Sequence, residues 1–265
     1  MSKKTILNSK KAAETRLGES RMMKCGEIAF IVEYTNNLNI TVEFKNSGEL
    51  VKTTYQQFKN GEIKSRFTPS VFGIGYLGNE KTKDENGQTI KSYVVWTHML
   101  RRCYSDECKK IHPTYKDCTV CKEWLNYSNF KKWYDNNYYE MDGERMDLDK
   151  DILVKGNKTY SPETCVFVPQ DINTLFTKSD KARGKYPIGV TFNKNAKKFI
   201  ARCNILINGK GQQKFLGYYN NIEEAFNAYK QFKENYIKQV ADEYKDKIPS
   251  KLYKALYNYE VEITD

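Results

Sequence analysis

Between Gly18 and Ser65 short apolar runs alternate with turn residues. GEIAFIVEY (26–34), NITVEF (39–44) and ELVKTTY (49–55) are divided by Asn36-Asn37 and by Asn46-Ser47-Gly48, the punctuation expected between strands. In the middle run Ile40, Val42 and Phe44 alternate with polar positions, the period of a half-buried strand. The pattern predicts a small β module over residues 18–68, preceded by a basic arm at 1–17. A module of about 50 residues is small for an independent core and is expected to pack on its neighbour.

Farther along, VFGIGYLG (71–78) and TIKSYVV (89–95) flank the polar turn Asp84–Gly87 and predict a β-hairpin. The following stretch predicts a helix near 93–104, with Val94, Val95, His98, Met99 and Arg102 on one side. A second helix near 122–134 places Trp124, Tyr127 or Ser128, and Lys131 on one face, with Phe130 and Trp133 three apart on another. These aromatics read as core. Residues 146–173, MDLDKDILVKGNKTYSPETCVFVPQDIN, read as strand, polar loop, strand and helix start.

Three more strands follow, separated by 193–196 and 208–211, and then a helix. Asn221 can cap it, with Glu224 three residues on. Its apolar stripe, Ala225, Ala228 or Tyr229, Phe232, Tyr236 and Val240, is placed to cover a sheet face. Pro249 ends that helix, and SKLYKALYNY predicts a shorter closing one. The fold class is α+β: the β module, a central domain at 69–180, and a sheet-plus-helix module at 184–265.

Composition narrows the setting. No apolar run approaches the roughly 18–20 residues needed to cross a bilayer. The N-terminus, MSKKTILNSKKAAETRLGES, has no apolar signal-peptide core, so the chain is expected in the cytoplasm. Seven cysteines are an odd number, and reduced thiols are expected there. The spacing of Cys103, Cys108, Cys118 and Cys121 can in principle hold a tetrahedral zinc. Cys103, however, follows the helical stretch WTHMLRRCY rather than a zinc-ribbon knuckle, and a structural zinc is not expected.

The net charge of +11 is unevenly spread. Residues 178–214 hold ten Lys or Arg and one acid, Asp180, a balance of +9. Residues 135–151 hold seven acids against Arg145 and Lys150, a balance of −5. A basic tract interleaved with Tyr186, Phe192 and Phe199 on strands points to a polyanion partner. The acidic cluster would repel that polyanion unless a divalent cation lay between them.

The C-terminal stretch IGVTFNKNAKKFIARC…GKGQQKFLGYYNNIEEAFNAYKQF resembles the Apetala/ethylene-response-factor type of DNA-binding domain. Gly189-Val190, Phe199-Ile200-Ala201, Phe215-Leu216-Gly217-Tyr218, Glu223-Glu224-Ala225 and Ala228-Tyr229 carry the likeness over about 60 residues. The resemblance implies a three-stranded sheet laid in the major groove of double-stranded DNA. By position it implies DNA contacts from Thr191, Asn193, Lys194, Lys197, Lys198, Arg202, Lys210 and Lys214. Plant members carry arginines after the Gly-Val pair, where this chain has Thr191 and Asn193, so guanine readout should be weaker. The lysines suit phosphate contact.

Residues 146–178 resemble the HNH, or ββα-metal, nuclease core, as phage and prophage endonucleases carry it. The combination LDKDIL…GNK.YSPETC.FVP..IN, preceded by W..ML.RCY and C..W..F..F..W, bears the likeness. It implies a phage-type, metal-dependent endonuclease acting on duplex DNA in a bacterial host. Asp149 and Asn173 would hold one divalent ion, Mg²⁺ or Mn²⁺, with no small-molecule cofactor. Asn157 would fix the loop, and Lys150, beside Asp151, stands where the family has its histidine base.

Lysine is a poor base unless desolvation lowers its pKa, and the two aspartates favour its charged form. Three readings stay open. Lys150 stabilises the phosphate while the metal supplies hydroxide; His98 or Tyr160 serves as base; or the chemistry is lost and a DNA-binding hairpin remains. Alternatives to the nuclease are a non-catalytic DNA-binding regulator and a phage interaction protein directed at a host factor.

Overall fold

The structure is a computed structural model that describes residues 14–176, 185–207 and 210–264. Most of the expected basic arm, the turn at 208–209, and Lys178, Lys181 and Arg183 of the basic tract lie outside the described residues. The fold is α+β, and the chain divides into two compact units, Met1–Asn136 and Asn137–Asp265.

The first unit opens with an antiparallel meander, β1 (Ser20–Met22), β2 (Ile28–Asn36), β3 (Asn39–Phe44) and β4 (Leu50–Thr53), paired in chain order. The alternation in β3 does what its period predicts. Ile40, Val42 and Phe44 are buried and pack with Ala29, Ile31 and Phe58. Strand β1 gave no such signal, because all three of its residues are exposed. The run ELVKTTY is a strand only as far as Thr53. Thr54 then caps a helix, Tyr55–Lys59, accepting the Gln57 N–H at 3.2 Å while its own N–H donates to Gln57 Oε1 at 3.4 Å. That Thr-x-x-Gln capping box was readable in the sequence.

The hairpin expected over 71–95 does not form, since Lys91–Tyr104 is one helix that includes SYVV. The turn between its arms is present: Asp84 Oδ1 accepts the N–H groups of Asn86 and Gln88 at 2.9 and 2.8 Å. The expected stripe of this helix is also displaced. Ser92, Trp96, Met99, Leu100 and Cys103 are buried, and only Met99 was on the predicted side. Trp96 decides the rotation, because a buried indole needs a partner for its N–H; Nε1 donates to the Trp124 carbonyl at 2.7 Å. The second predicted helix breaks at Asn126 into a 3₁₀ turn, Lys122–Leu125, and a helix, Tyr127–Asn137. Trp124, Tyr127 and Phe130 are core, as expected. A helix, Asp106–Ile111, a 3₁₀ turn, Pro113–Tyr115, and a two-residue strand, β5 (Thr119–Val120), lie between these helices.

The second unit begins with β6 (Met146–Asp149), the short β7 (Thr159–Tyr160), β8 (Val166–Pro169) and a helix, Gln170–Thr174. Strands β6 and β8 pair antiparallel, from Met146↔Pro169 to Asp149↔Val166. The sheet β9 (Val190–Asn193), β10 (Lys198–Ile207) and β11 (Lys210–Tyr219) is antiparallel, with β10 in the middle. A long helix, Ile222–Tyr244, packs on it, and Ser250–Tyr257 closes the chain. Asn221 caps the long helix by accepting the Glu224 N–H at 2.8 Å.

The buried line of the long helix is Ala225, Tyr229, Lys233, Ile237 and Ala241, with Phe226 beside it. The expected stripe agrees at Ala225 and Tyr229 and is one residue off thereafter, so a lysine is buried where Phe232 was expected. This line serves two cores. One joins Ala225, Phe226 and Tyr229 to Val190, Ala201 and Cys203 of the sheet. The other joins Ile237, Ala241, Leu252 and Leu256 to Val166, Val168, Ile172 and Leu175 of the hairpin. The hairpin therefore shares an apolar core with the C-terminal helices. Gly189 makes the sheet–helix contact possible. Its φ is +77°, and a Cβ there would lie 2.1 Å from the Tyr229 ring.

Candidate functional site

In the hairpin the order strand, loop, strand, helix places four of the six candidate residues of that segment, Asp149, Lys150, Asp151 and Asn157, within one hydrogen-bonded region. Asn157 holds the loop: its Nδ2 donates to the carbonyls of Lys150 at 2.9 Å and Thr159 at 2.7 Å, and its Oδ1 accepts the Thr159 N–H at 3.2 Å. Lys150 is 4% exposed. Its Nζ donates to Asp151 Oδ2 at 2.7 Å and to the Asn157 carbonyl at 2.8 Å, and lies 5.8 Å from the centre of the buried Tyr160 ring. Lysine and asparagine thus brace each other across the loop. Asp151 is half exposed, so this pair is open to water on one side.

Asp149 Oδ1 accepts the N–H groups of Asp151 and Ile152, both at 2.7 Å. Burial raises the pKa of its carboxyl, against the lowering effect of those two bonds and of Lys150. Asn173, the other expected metal ligand, donates from Nδ2 to Asp147 Oδ2 at 3.2 Å. Asp147 also receives the Arg145 fork, at 3.1 and 3.2 Å. Asp147 was missed in the sequence, although its position two residues before Asp149 puts both on one strand face. His98 belongs to the first unit and is exposed on its helix. Partial desolvation, then Arg102 and Arg101, lower its pKa and favour neutral imidazole.

The donors in the hairpin are hard oxygens, the class that Mg²⁺ and Mn²⁺ take. Part of the set is bonded within the chain: Asp149 Oδ1 accepts two backbone N–H groups, Asp151 pairs with Lys150, and Asn173 turns its nitrogen toward Asp147. Among the described residues no group of three or more His, Cys, Asp and Glu is placed to hold a metal. Cys103, Cys108, Cys118 and Cys121 are not joined in disulfides.

The C-terminal sheet presents its polar groups differently. Side chains alternate between faces, and Val190, Ala201 and Cys203 define the face toward the long helix. Thr191, Lys198, Arg202, Asn204, Gln213, Phe215 and Tyr218 fall on the outer face by register. A bulge at Ala201/Arg202 skips Leu216 and sets Phe215 opposite Arg202. Phe215 and Tyr218 are about half exposed, with ring centres 5.3 Å apart. Arg202 donates to Gln213 Oε1 at 3.2 Å.

Two of the expected DNA contacts fall off the Arg202 face, and a third shapes a turn. Lys214 pairs with Cys203 and Lys210 with Ile207, so both leave the face that bears Arg202. Asn193 shapes the β9–β10 turn by accepting the N–H groups of Asn195 and Ala196, both at 3.0 Å. Lys194 and Lys197 are exposed in that turn, where Lys197 has φ +50°. Asn204 and Gln213 were not singled out in the sequence; the side that Gln213 and Phe215 take is set by the bulge, which is invisible to a strict two-residue period.

No family model, curated protein or solved structure matches the chain. Among the described residues no helix is long and apolar enough to cross a membrane.

Proposed function

We propose that this protein binds double-stranded DNA through the outer face of its C-terminal sheet, with the hairpin as a framework rather than a reaction centre. One observation carries this reading. Lys198, Arg202, Phe215 and Tyr218 are exposed together on a face with no acidic side chain among its described residues, flanked by Lys194 and Lys197. Cations at strand spacing suit phosphates, Arg202 also suits a guanine edge, and the two rings suit apolar contact in a groove. The hairpin's polar groups, by contrast, are engaged with one another. Titration of a fluorescent duplex at several salt concentrations tests the proposal. Lys198→Ala/Arg202→Ala should weaken binding and flatten the salt dependence by about one unit for each phosphate no longer neutralised. Unchanged affinity in this folded variant would remove the sheet from the interface.

A second reading keeps the phage-type endonuclease, because Asn173 reaches the strand face that carries Asp147 and Asp149. Plasmid nicking with Mg²⁺ or Mn²⁺ decides between them. Cleavage by the wild type that is lost in both Asp149→Asn and Asn173→Ala would establish that reading. Absence of cleavage with retained binding favours the framework.

A further inference from the structure

A cleft of about 390 Å³ opens in the second unit between the end of the helix Gln170–Thr174, the Pro187–Thr191 segment, β10 and the long helix. Its volume is in the range of small-molecule sites, roughly 300–1,000 Å³. Thr191, Arg202, Asn204 and Gln213 touch it but lie on the outer sheet face by register, the face assigned to the duplex. The rest of the lining is chiefly apolar, from Leu175, Pro187, Ile188, Val190, Ile205 and Tyr229. Lys233 of the long helix sets a primary amine among these groups, and no described residue of the lining is acidic.

Lys233 is only 8% exposed, beside the buried thiol of Cys203, and makes no hydrogen bond or ion pair with any described residue. An ammonium held that way is costly. Burial lowers the pKa of the amine and raises that of the Cys203 thiol, so each is biased toward its neutral form. A neutral amine differs from an ammonium in one chemical respect: it keeps a lone pair that can attack a carbonyl carbon. Desolvation in an apolar pocket is how a lysine becomes a nucleophile toward carbonyl compounds. The same exclusion of water slows hydrolysis of the product.

We infer that Lys233 is a covalent capture site for a small apolar aldehyde, held as an imine with its hydrocarbon part against the walls of the cleft. The Nζ lone pair adds to the carbonyl carbon, a proton passes from nitrogen to oxygen, and water leaves as the C=N bond forms. No oxidant or reductant takes part, and water reverses the step. A carboxylate ligand would need the ammonium form instead, which these surroundings disfavour. The inference stands apart from duplex binding by the outer sheet face, and loss of either leaves the other standing.

The test is labelling of the full chain with hexanal and sodium cyanoborohydride at about pH 6.5, followed by peptide mass mapping. The hydride reduces an imine to a stable secondary amine, so each adduct marks the lysine that formed it. An exposed lysine is almost wholly ammonium at that pH, and Lys233 should carry roughly tenfold more adduct than Lys198. The excess should shrink as the pH is raised toward about 9, where exposed amines begin to lose their protons. Lys233→Met replaces the amine with an apolar chain of similar length. It should leave the melting temperature unchanged or raise it, and the dominant adduct should disappear. Lys198→Ala should lose duplex affinity and keep the Lys233 adduct. Labelling of Lys233 no greater than that of Lys198, an adduct on Cys203 in its place, or saturable binding of hexanoate with no Lys233 adduct would each overturn the inference.

Discussion

The hairpin at 146–173 and the sheet at 190–219 use similar residue types to opposite ends. In the hairpin Asp149, Lys150, Asn157 and Asn173 point their polar atoms at the chain itself. In the sheet Thr191, Lys198 and Arg202 present theirs outward. Burial makes the difference. A polar group removed from water must find a partner, and in the hairpin the nearest partners are the loop carbonyls and amides. A lysine on an open sheet face has water instead and can exchange it for a phosphate. Residue identity alone therefore does not fix how a polar group is used; the acceptors around each residue differ between the two regions.

The largest effect should come from Gly189→Ala, which would strike the sheet's packing on the long helix. A Cβ overlapping the Tyr229 ring at a positive φ is expected to cost about 2–5 kcal/mol, read as a lowered denaturant midpoint. Wild-type stability there would break the account of the sheet. Asn157→Ala comes next, because three hydrogen bonds disappear and the Lys150 carbonyl loses its Asn157 donor, while the Thr159 carbonyl keeps Thr164. A cost of about 2–3 kcal/mol is expected with duplex affinity unchanged. Loss of DNA binding without loss of stability would turn the brace into a residue that touches DNA.

Asp149 separates the two uses of a carboxylate. Asp149→Ala orphans the N–H groups of Asp151 and Ile152 and should cost about 1–2 kcal/mol. Asp149→Asn keeps the accepting oxygen and should stay close to wild type near pH 7. Because burial raises the carboxyl pKa, the folded chain holds a proton that the unfolded chain releases above the ordinary aspartate range. Stability contributed by this group falls as pH rises through that window, and Asp149→Asn should abolish the slope. Urea titrations from pH 3 upward measure it; an opposite slope would contradict the assignment. The smallest effect is expected at Lys214, which lies off the Arg202 face. Lys214→Ala should lower duplex affinity less than Lys198→Ala does in the same titration.

Much of the fold was legible. The period-two pattern at Ile40, Val42 and Phe44 and the cap at Asn221 follow from local chemistry and survive in the folded chain. Elements set by distant packing were not. Trp96 turns its helix to reach the Trp124 carbonyl, and the stripe through Val94 and His98 cannot reveal that. The long helix serves two cores, so its buried line shifts by one residue after Tyr229 and brings in Lys233. At the site Asn157 was expected in the loop, where its side chain bonds the Lys150 and Thr159 backbone. The partner of Asn173, Asp147, was not, because a strand residue two positions away looks like any solvated carboxylate. Lys214 was misplaced because a single bulge reverses the side on which the following residues fall.

The most direct test compares two variants in one duplex-affinity measurement at moderate salt with Mg²⁺ present. Lys198→Ala/Arg202→Ala should bind roughly ten- to a hundredfold more weakly than wild type, whereas Asp149→Asn should match wild type and leave the duplex uncut. The reverse ranking, with the sheet variant unaffected and Asp149→Asn losing binding or a metal-dependent cut, would contradict the assignment of the sheet to DNA and of the hairpin to the framework.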